Sequence, residues 1–339
     1  MGERAWQMAL TVSGFVVLAL LPLVIPSFYA SLLAFTFTYI IAALGVNLLT
    51  GYTGLVTVGH GGFFATGAYT TALMAKYWGT SVLPGLVAGA LLSGVIGFIV
   101  GIICLRLGGA FLAIATLGFA LAVGAILNNW PIFEGRTGIT LGKSAVLGYQ
   151  FQDVGFYYVA LLAMALMMVA TWSIVRSAVG RAFVAIRDSE RAAEAMGINL
   201  RLYKTLAFAL SATMTGVGGV LFAHYTHYVS AETFGSAWLS VDFLTAVVVG
   251  GQATLLGPVI GGAFVVLVPY YLGELRDFAF ILNGVALIMV LIFAPQGAAG
   301  LLAHGLRLVL GLRPRPVTVA SSPDRDRSVE ARRNVAWKN

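Results

Sequence analysis

Charged residues are scarce in this sequence. Asp, Glu, Lys and Arg make up 10% of the 339 residues, whereas hydrophobic residues make up 59%. An average soluble chain carries about 25% charged residues. With a mean hydropathy of +0.92, the chain has too little polar surface to cover a soluble globule. The composition therefore excludes a soluble protein and indicates a membrane protein.

Cysteine is nearly absent, since Cys104 is the single one in the sequence. This excludes an intrachain disulfide and a cysteine metal cluster. His224 and His227, near Glu232, lack a fixed third ligand, so we predict no metal site. The sequence also has no phosphate-binding Gly-x-x-x-x-Gly-Lys-Ser/Thr loop, so the chain is not expected to hydrolyse ATP or to bind a cofactor itself.

The basic residues that give the net charge of +7 are concentrated in two segments. Six of the 20 lie between residues 176 and 204, and eight lie beyond residue 304. Both segments flank apolar runs, which is the pattern of the positive-inside rule and not of a nucleic-acid-binding surface. We therefore place both segments on the cytoplasmic side and expect no nucleic-acid partner.

Apolar runs of membrane-spanning length fill most of the chain. They lie at about residues 7–25, 32–50, 60–77, 82–104, 110–127, 155–175, 205–224, 241–256, 257–273 and 277–294. These runs predict an all-α, polytopic integral membrane bundle of about ten passes, with short broken or re-entrant helices and lipid around it. Both termini are then cytoplasmic, and residues 128–154 form the longest outer loop.

Glycine-rich stretches interrupt two of the runs. Between residues 51 and 69, glycines alternate with Thr57, His60 and Thr66. Such backbone must be buried in the bundle or line a wet cavity. Its side chains either line a translocation pathway or pack helices together. The second interruption, at Gly250, Gly251 and Gln252, is either a pair of helix ends that bind solute or a turn between two short passes.

The charged segment 176–204, the coupling loop, carries signals for a short helix. Asp188 or Ser189 can cap it, Glu190 and Glu194 fall on one face, and Gly197 can end it. Asn199 can cap the next span. The loop either docks into a groove of a partner protein or is simply solvated.

Several segments of this sequence resemble a known family. Residues 191–197 resemble the Glu-Ala-Ala-x-x-x-Gly loop of ABC importer membrane subunits, with Arg191 in place of the glutamate. The longer run 180–204, with segments 51–69, 111–118 and 249–261, is similar to LivM-type permeases for branched-chain amino acids. The resemblance covers about residues 30 to 295.

The resemblance implies a permease subunit of an ABC importer for branched-chain or other neutral amino acids, with urea or short amides as alternative solutes. It implies a bacterial-type inner membrane, a second homologous permease, two cytoplasmic ATPase subunits that bind ATP and magnesium, and an extracytoplasmic solute-binding protein. Residues 1–304 would form the permease domain, and residues 305–339 a basic, disordered tail. The ATPase contact would be made by Asp188, Glu190, Arg191, Ala192, Ala193, Glu194 and Gly197.

A free-standing secondary transporter or channel is the competing hypothesis. A secondary transporter coupled to ions is expected to carry paired carboxylates within the membrane. The predicted spans offer only Asp242, with Glu274 and Asp277 near span ends. Coupling by a partner therefore fits the sequence better.

Overall fold

The computed structural model describes residues 14–104, 107, 109–135, 137–142, 145–146, 149–150, 153–271, 284 and 297–300. The chain divides into two units, Met1–Leu301 and Leu302–Asn339, and every described residue belongs to the first. That unit is an all-α bundle, as the apolar runs predict. The predicted tail, nearly all of the last predicted span and the start of the first one lie outside the described residues.

Within the described ranges, most of the helices correspond to the predicted runs, and four short strands, which were not predicted, accompany them. The helices are α1 (Gly14–Leu23), α2 (Ser27–Val46), α3 (His60–Trp78), α4 (Val82–Cys104), α5 (Ala110–Asn129), α6 (Asp153–Arg176), α7 (Ala178–Asp188), α8 (Glu190–Ala195), α9 (Leu200–Thr226), α10 (Ala231–Phe234), α11 (Trp238–Gly250) and α12 (Gly257–Tyr271). A π-helical segment, Asn47–Tyr52, extends α2. The strands are β1 (Ile139–Thr140), β2 (Ala145–Val146), β3 (Tyr149–Gln150) and β4 (Tyr228–Val229).

Two of these helices form the centre of the bundle. Of the most apolar 18-residue stretch, 78% is buried in α2 with its π segment and in α9, whereas 28 to 33% is buried in α4, α5 and α6. The outer helices present large apolar side chains outward, such as Leu91, Ile103 and Phe111. Exposed apolar surface of this extent is expected to face lipid. Among the described residues, five helices are long and apolar enough to cross a membrane.

α3 is not one of those five, although residues 60–77 were predicted as a span. Its glycines, threonines and Lys76 lower its hydropathy, and it packs inside the bundle against α4, α5 and α9. Small residues permit this packing. A Cβ atom added to Gly67 would overlap the carbonyl oxygen of Gly216, and one added to Gly219 would overlap that of Phe64. The backbones therefore touch, as is usual where membrane helices associate.

Gly67→Val is expected to destabilise the bundle by about 1–3 kcal/mol, the usual cost of overpacking, because it pushes α3 away from α9. Gly118→Val on α5 is the matched control, since nothing lies within 4 Å of an added Cβ there. Thermal unfolding in detergent compares the two variants. Equal midpoints for Gly67→Val and the control would contradict the close α3–α9 packing.

The run at 241–273 is confirmed as two short helices. α11 ends at Gly250, α12 begins at Gly257, and the two helices pack against each other. Residues 251–256, called the break below, connect them without helix. One continuous helix would have changed the parity of the predicted passes, so this observation supports the topology.

The two predicted outer segments meet at one end of the bundle, called the strand end. β1, from residues 128–154, pairs antiparallel with β4, which follows α9. The Tyr228 hydroxyl donates to the Thr137 carbonyl oxygen at 3.1 Å, and Lys76 forms an ion pair with Glu134. The carboxyl ends of α3, α5 and α9 therefore lie together, as the predicted topology requires.

Candidate functional site

The coupling loop folds into α7 and α8, and local signals define its ends. The Ser177 hydroxyl caps α7 and the Ser189 hydroxyl caps α8, accepting from the Ala192 amide at 3.3 Å. The predicted cap at Asp188 or Ser189 is thus confirmed for Ser189. The side chain of Asn199 caps α9, as predicted, by accepting from the Leu202 amide at 3.2 Å.

α8 ends at Gly197 through a Schellman motif. The Ile198 amide donates to the Ala193 carbonyl oxygen at 3.0 Å, and the Gly197 amide donates to that of Glu194 at 2.9 Å. Gly197 has a φ of 82°, in the left-handed region where glycine is favoured. The predicted stop at Gly197 is confirmed.

The buried face of the coupling loop anchors it to the bundle. Phe183 and Ala193 are buried, and the Phe183 ring lies edge-on to Tyr203 of α9, 6.4 Å between centroids. Lys204 donates to the Glu190 carboxylate at 2.6 Å. Glu190 and Ala193, predicted as partner contacts, therefore also hold α8 against α9.

The other predicted contact residues of the loop are exposed. These are Asp188, Arg191, Ala192, Glu194 and Gly197. Beside them Met196, an apolar side chain, is 83% exposed. The loop thus presents small, charged and apolar groups on a surface whose reverse side is fixed to α9. Such a surface can transmit a push from a docked partner.

Arg187 connects the coupling loop to the end of α2. Its Nη1 donates to the Gly51 carbonyl oxygen at 3.2 Å, and its Cγ lies 2.8 Å from where a Gly54 Cβ would be. Gly51 belongs to the π segment of α2. Sequence reasoning did not assign this role to Arg187, because the two residues are 136 positions apart.

The chain from Gly54 to Gly59 is non-helical before α3 begins at His60. Thr57, His60 and Thr66 are all buried, at 1%, 1% and 8% exposure. These three side chains are therefore buried in the bundle, which is one of the two environments predicted for the stretch, whereas Gly54 and Val56 are exposed.

Thr57, His60 and Thr66 each form a side-chain hydrogen bond within the protein. His60 Nε2 lies 2.6 Å from Ser211 Oγ, and that hydroxyl donates to the Gly45 carbonyl oxygen at 2.7 Å. Because Ser211 has one hydrogen to give, His60 Nε2 is the donor to it. Thr66 donates to Gly62 of its own helix at 2.8 Å.

The Thr57 hydroxyl accepts from the Gly59 amide at 3.3 Å. These contacts correspond to the packing alternative for Thr57, His60 and Thr66. A role for the three residues in translocation stays a prediction. His60 Nδ1 has no hydrogen-bond partner among the described residues.

The break lies beside the π segment of α2. Asn47 Nδ2 donates to the Thr254 carbonyl oxygen at 2.8 Å, and Asn47 Oδ1 accepts from the Ala253 amide at 2.9 Å. The Thr254 hydroxyl donates to the Gly251 carbonyl oxygen at 2.8 Å and accepts from the Gly257 amide at 3.0 Å. These backbone groups of the break are thus satisfied within the protein.

This arrangement favours a turn between two passes over a solute site at two helix ends. A Cβ on Gly250 would overlap the Gly257 carbonyl oxygen, and a Cβ on Gly297 would overlap the Gly251 Cα. Of the three predicted pathway residues here, Gln252 alone is exposed. A pathway role for Gly250, Gly251 and Gln252 stays a prediction. In the described part of the chain, no three His, Cys, Asp or Glu side chains could hold a metal ion.

Comparison with known proteins identifies the family. The profile of the family described as "Branched-chain amino acid transport system / permease component" matches residues 28–295. The chain belongs to this family. The high-affinity branched-chain amino acid transport system permease protein LivM of Escherichia coli is 32% identical to it over 302 residues, covering 81% of this chain and 71% of that protein.

Two more distant relatives of this permease are each 25% identical to it. A probable branched-chain amino acid transport permease protein LivM from Methanocaldococcus jannaschii is 25% identical, covering 76% of this chain and 89% of that protein. The autoinducer 2 import system permease protein LsrC of Yersinia pseudotuberculosis is 25% identical, covering 78% of each chain. No solved structure matches this permease.

Proposed function

We propose that this permease is the membrane subunit of an ABC importer that moves branched-chain or other neutral amino acids into the cell. The observation that carries the proposal is the coupling loop, whose α8 is capped at both ends and anchored by Lys204 and Phe183. An isolated permease has no need for a rigid, exposed loop of this kind. A motor that pushes on the bundle needs a rigid point of contact.

The proposed complex contains a second homologous permease, two cytoplasmic ATPase subunits and an extracytoplasmic solute-binding protein. ATP and magnesium bind the ATPase subunits, because this chain lacks a phosphate-binding loop. The coupling loop faces the cytoplasm of a bacterial-type inner membrane, where its basic residues are favoured. The strand end faces outward, where the solute-binding protein docks.

The distribution of charge supports coupling by a partner over coupling by ions. In the described residues the ion pairs join Lys76 to Glu134, Arg187 to Asp188 and Lys204 to Glu190. All three pairs lie at the strand end or in the coupling loop. Within the described parts of the predicted spans there is one carboxylate, that of Asp242 in α11. No second carboxylate lies on α11. A secondary transporter driven by ions would need such groups in its bundle.

Branched-chain amino acids are the proposed solutes because the LivM proteins cover most of this chain. Urea or short amides are the alternative. LsrC, a relative of this chain, is named for autoinducer 2 import, so relatives carry names for different solutes. Competition of labelled leucine uptake by valine, urea and acetamide decides between them.

The orientation of the coupling loop tests the proposed function. In a Cys104→Ala background, Ala195→Cys on α8 is expected to react with an impermeant maleimide only from the cytoplasmic side, and Thr137→Cys only from outside. Both positions are exposed, and Ala195→Cys leaves the caps of α8 in place. Bound ATPase subunits are expected to shield Ala195→Cys and leave Thr137→Cys reactive. Labelling of Ala195→Cys from outside, or no shielding by the ATPase subunits, would overturn the proposed function.

A further inference from the structure

We propose that Asn47 is a positioning residue that transmits movement of the coupling loop to the break between α11 and α12. The inference rests on the proposed function, since it supposes that an ATPase subunit moves the loop. It goes further by naming the internal route and the element that responds.

The first step of the route is the amide of Asn47. Asn47 is fully buried, and both polar atoms of its amide bond to the break, at the Ala253 amide and the Thr254 carbonyl oxygen. A buried amide is costly to leave unpaired, so these bonds hold the break against α2. Ala253 has a φ of 54°, which is strained for a residue with a Cβ and persists only where its surroundings hold it.

The second step is Gly51, one turn further along the π segment. A Cβ on Gly51 would lie 2.6 Å from the Ala253 nitrogen, so the segment and the break are in direct contact. The carbonyl oxygen of Gly51 accepts from Arg187 Nη1 at 3.2 Å. One short segment therefore contacts the coupling loop through Arg187 and the break through Asn47.

The segment itself is suited to change shape. π-helical turns are rare and are frequently found at functional sites. Conversion to α-helical bonding would turn Asn47 relative to Gly51, so that the bonds to the break and to Arg187 could not both persist. A tilt of α7 that displaces Arg187 is thereby coupled to the position of the break.

The break is built to move as one piece. Its Thr254 hydroxyl bonds to both Gly251 and Gly257, so it joins the end of α11 to the start of α12. Gln252 lies in this turn and is exposed. Displacement of this turn would shift both short helices together within the bundle.

The test uses the transporter purified with its ATPase subunits and placed in lipid nanodiscs, in a Cys104→Ala background. The labelling rate of Gln252→Cys is measured without nucleotide and after trapping with ATP and vanadate. We expect the two rates to differ by at least about fivefold, the lower end of typical coupling between sites. Adding Asn47→Leu is expected to make the two rates equal while ATP hydrolysis continues.

Arg187→Ala is the second variant, and it cuts the route at the loop. Because Arg187 is exposed, we expect the fold to tolerate its loss even if Asn47→Leu fails to assemble. It is expected to remove the response of Gln252→Cys as well. Thr36→Val, also on α2, removes a hydroxyl that bonds to Leu32 of its own helix and is expected to leave the fivefold response intact.

Two results would overturn the inference. One is an unchanged response of Gln252→Cys in Arg187→Ala or Asn47→Leu, and the other is no response in the parent protein. Shielding of Ala195→Cys by the ATPase subunits, measured under the same conditions, separates the two proposals. If shielding persists but either of these two results for Gln252→Cys is obtained, the route through Asn47 is wrong and the proposed function stands. If shielding is absent, both fail.

Discussion

Glu194→Ala combined with Gly197→Val is expected to reduce solute-stimulated ATP hydrolysis to the unstimulated rate while the chain still inserts into the membrane. Gly197 has a φ of 82°, and a β-branched residue held there costs about 1–3 kcal/mol. α8 would end differently, because Gly197 and Ile198 complete its carboxyl-terminal hydrogen bonds. The exposed surface around Met196 would then no longer fit its partner.

Two further variants separate backbone geometry from bulk. Nothing lies within 4 Å of an added Cβ at Gly197 or at Gly79, and Gly79 also has a positive φ, of 60°. Gly79→Val carries similar strain at the end of α3, far from the loop, and should leave stimulated hydrolysis unchanged. Gly197→Asn in place of Gly197→Val should restore most of the stimulated ATP hydrolysis, because asparagine tolerates the left-handed region. Full stimulation in the Glu194→Ala, Gly197→Val protein would refute docking at this loop.

Ser211→Ala is expected to produce the second large effect, a loss of stability of the bundle. It removes the acceptor for His60 Nε2 and the donor for the Gly45 carbonyl oxygen. Each buried group left unpaired costs about 1–3 kcal/mol. The midpoint of thermal unfolding in detergent should therefore fall well below that of Thr213→Val, whose hydroxyl bonds only to Ala209 of its own helix.

A double-mutant cycle tests the pair directly. His60→Ala and Ser211→Ala together should cost less than the sum of the two single variants, with a coupling of at least about 0.5 kcal/mol. Additive effects would contradict the hydrogen bond. Solute uptake by the His60→Ala variant tests whether His60 also lines the translocation pathway. A changed affinity for solute supports the pathway hypothesis, and an unchanged affinity for every solute supports packing alone.

Local features of the fold and the site could be predicted from the sequence. Long apolar runs identify α2, α4, α5, α6 and α9 because the hydrocarbon core requires a minimum length of apolar helix. Ser189, Gly197 and Asn199 are recognisable as helix ends because a cap bonds within its own few residues. The break was recognisable because Gly257 and Pro258 follow glycines in an apolar run.

Contacts between distant residues could not be predicted in this way. His60 and Ser211 are 151 positions apart, and Asn47 and Thr254 are 207 apart, so one sequence gives no sign of either pair. Asn47 is a polar residue inside a predicted apolar span, and its position there was a signal for a buried contact that was not recognised. An amide inside an apolar span is costly unless it is paired, which indicates a specific partner even when the partner is unknown.

Uptake by reconstituted vesicles tests most directly whether this permease is a gate powered from outside its own chain. The full chain is compared in lipid vesicles alone and as the complex with its second permease, ATPase subunits and solute-binding protein, with ATP supplied on the ATPase side. We predict that only the complex concentrates labelled leucine, and that it does so only with ATP. Concentration of any solute by the chain alone, in the absence of nucleotide, would contradict the account.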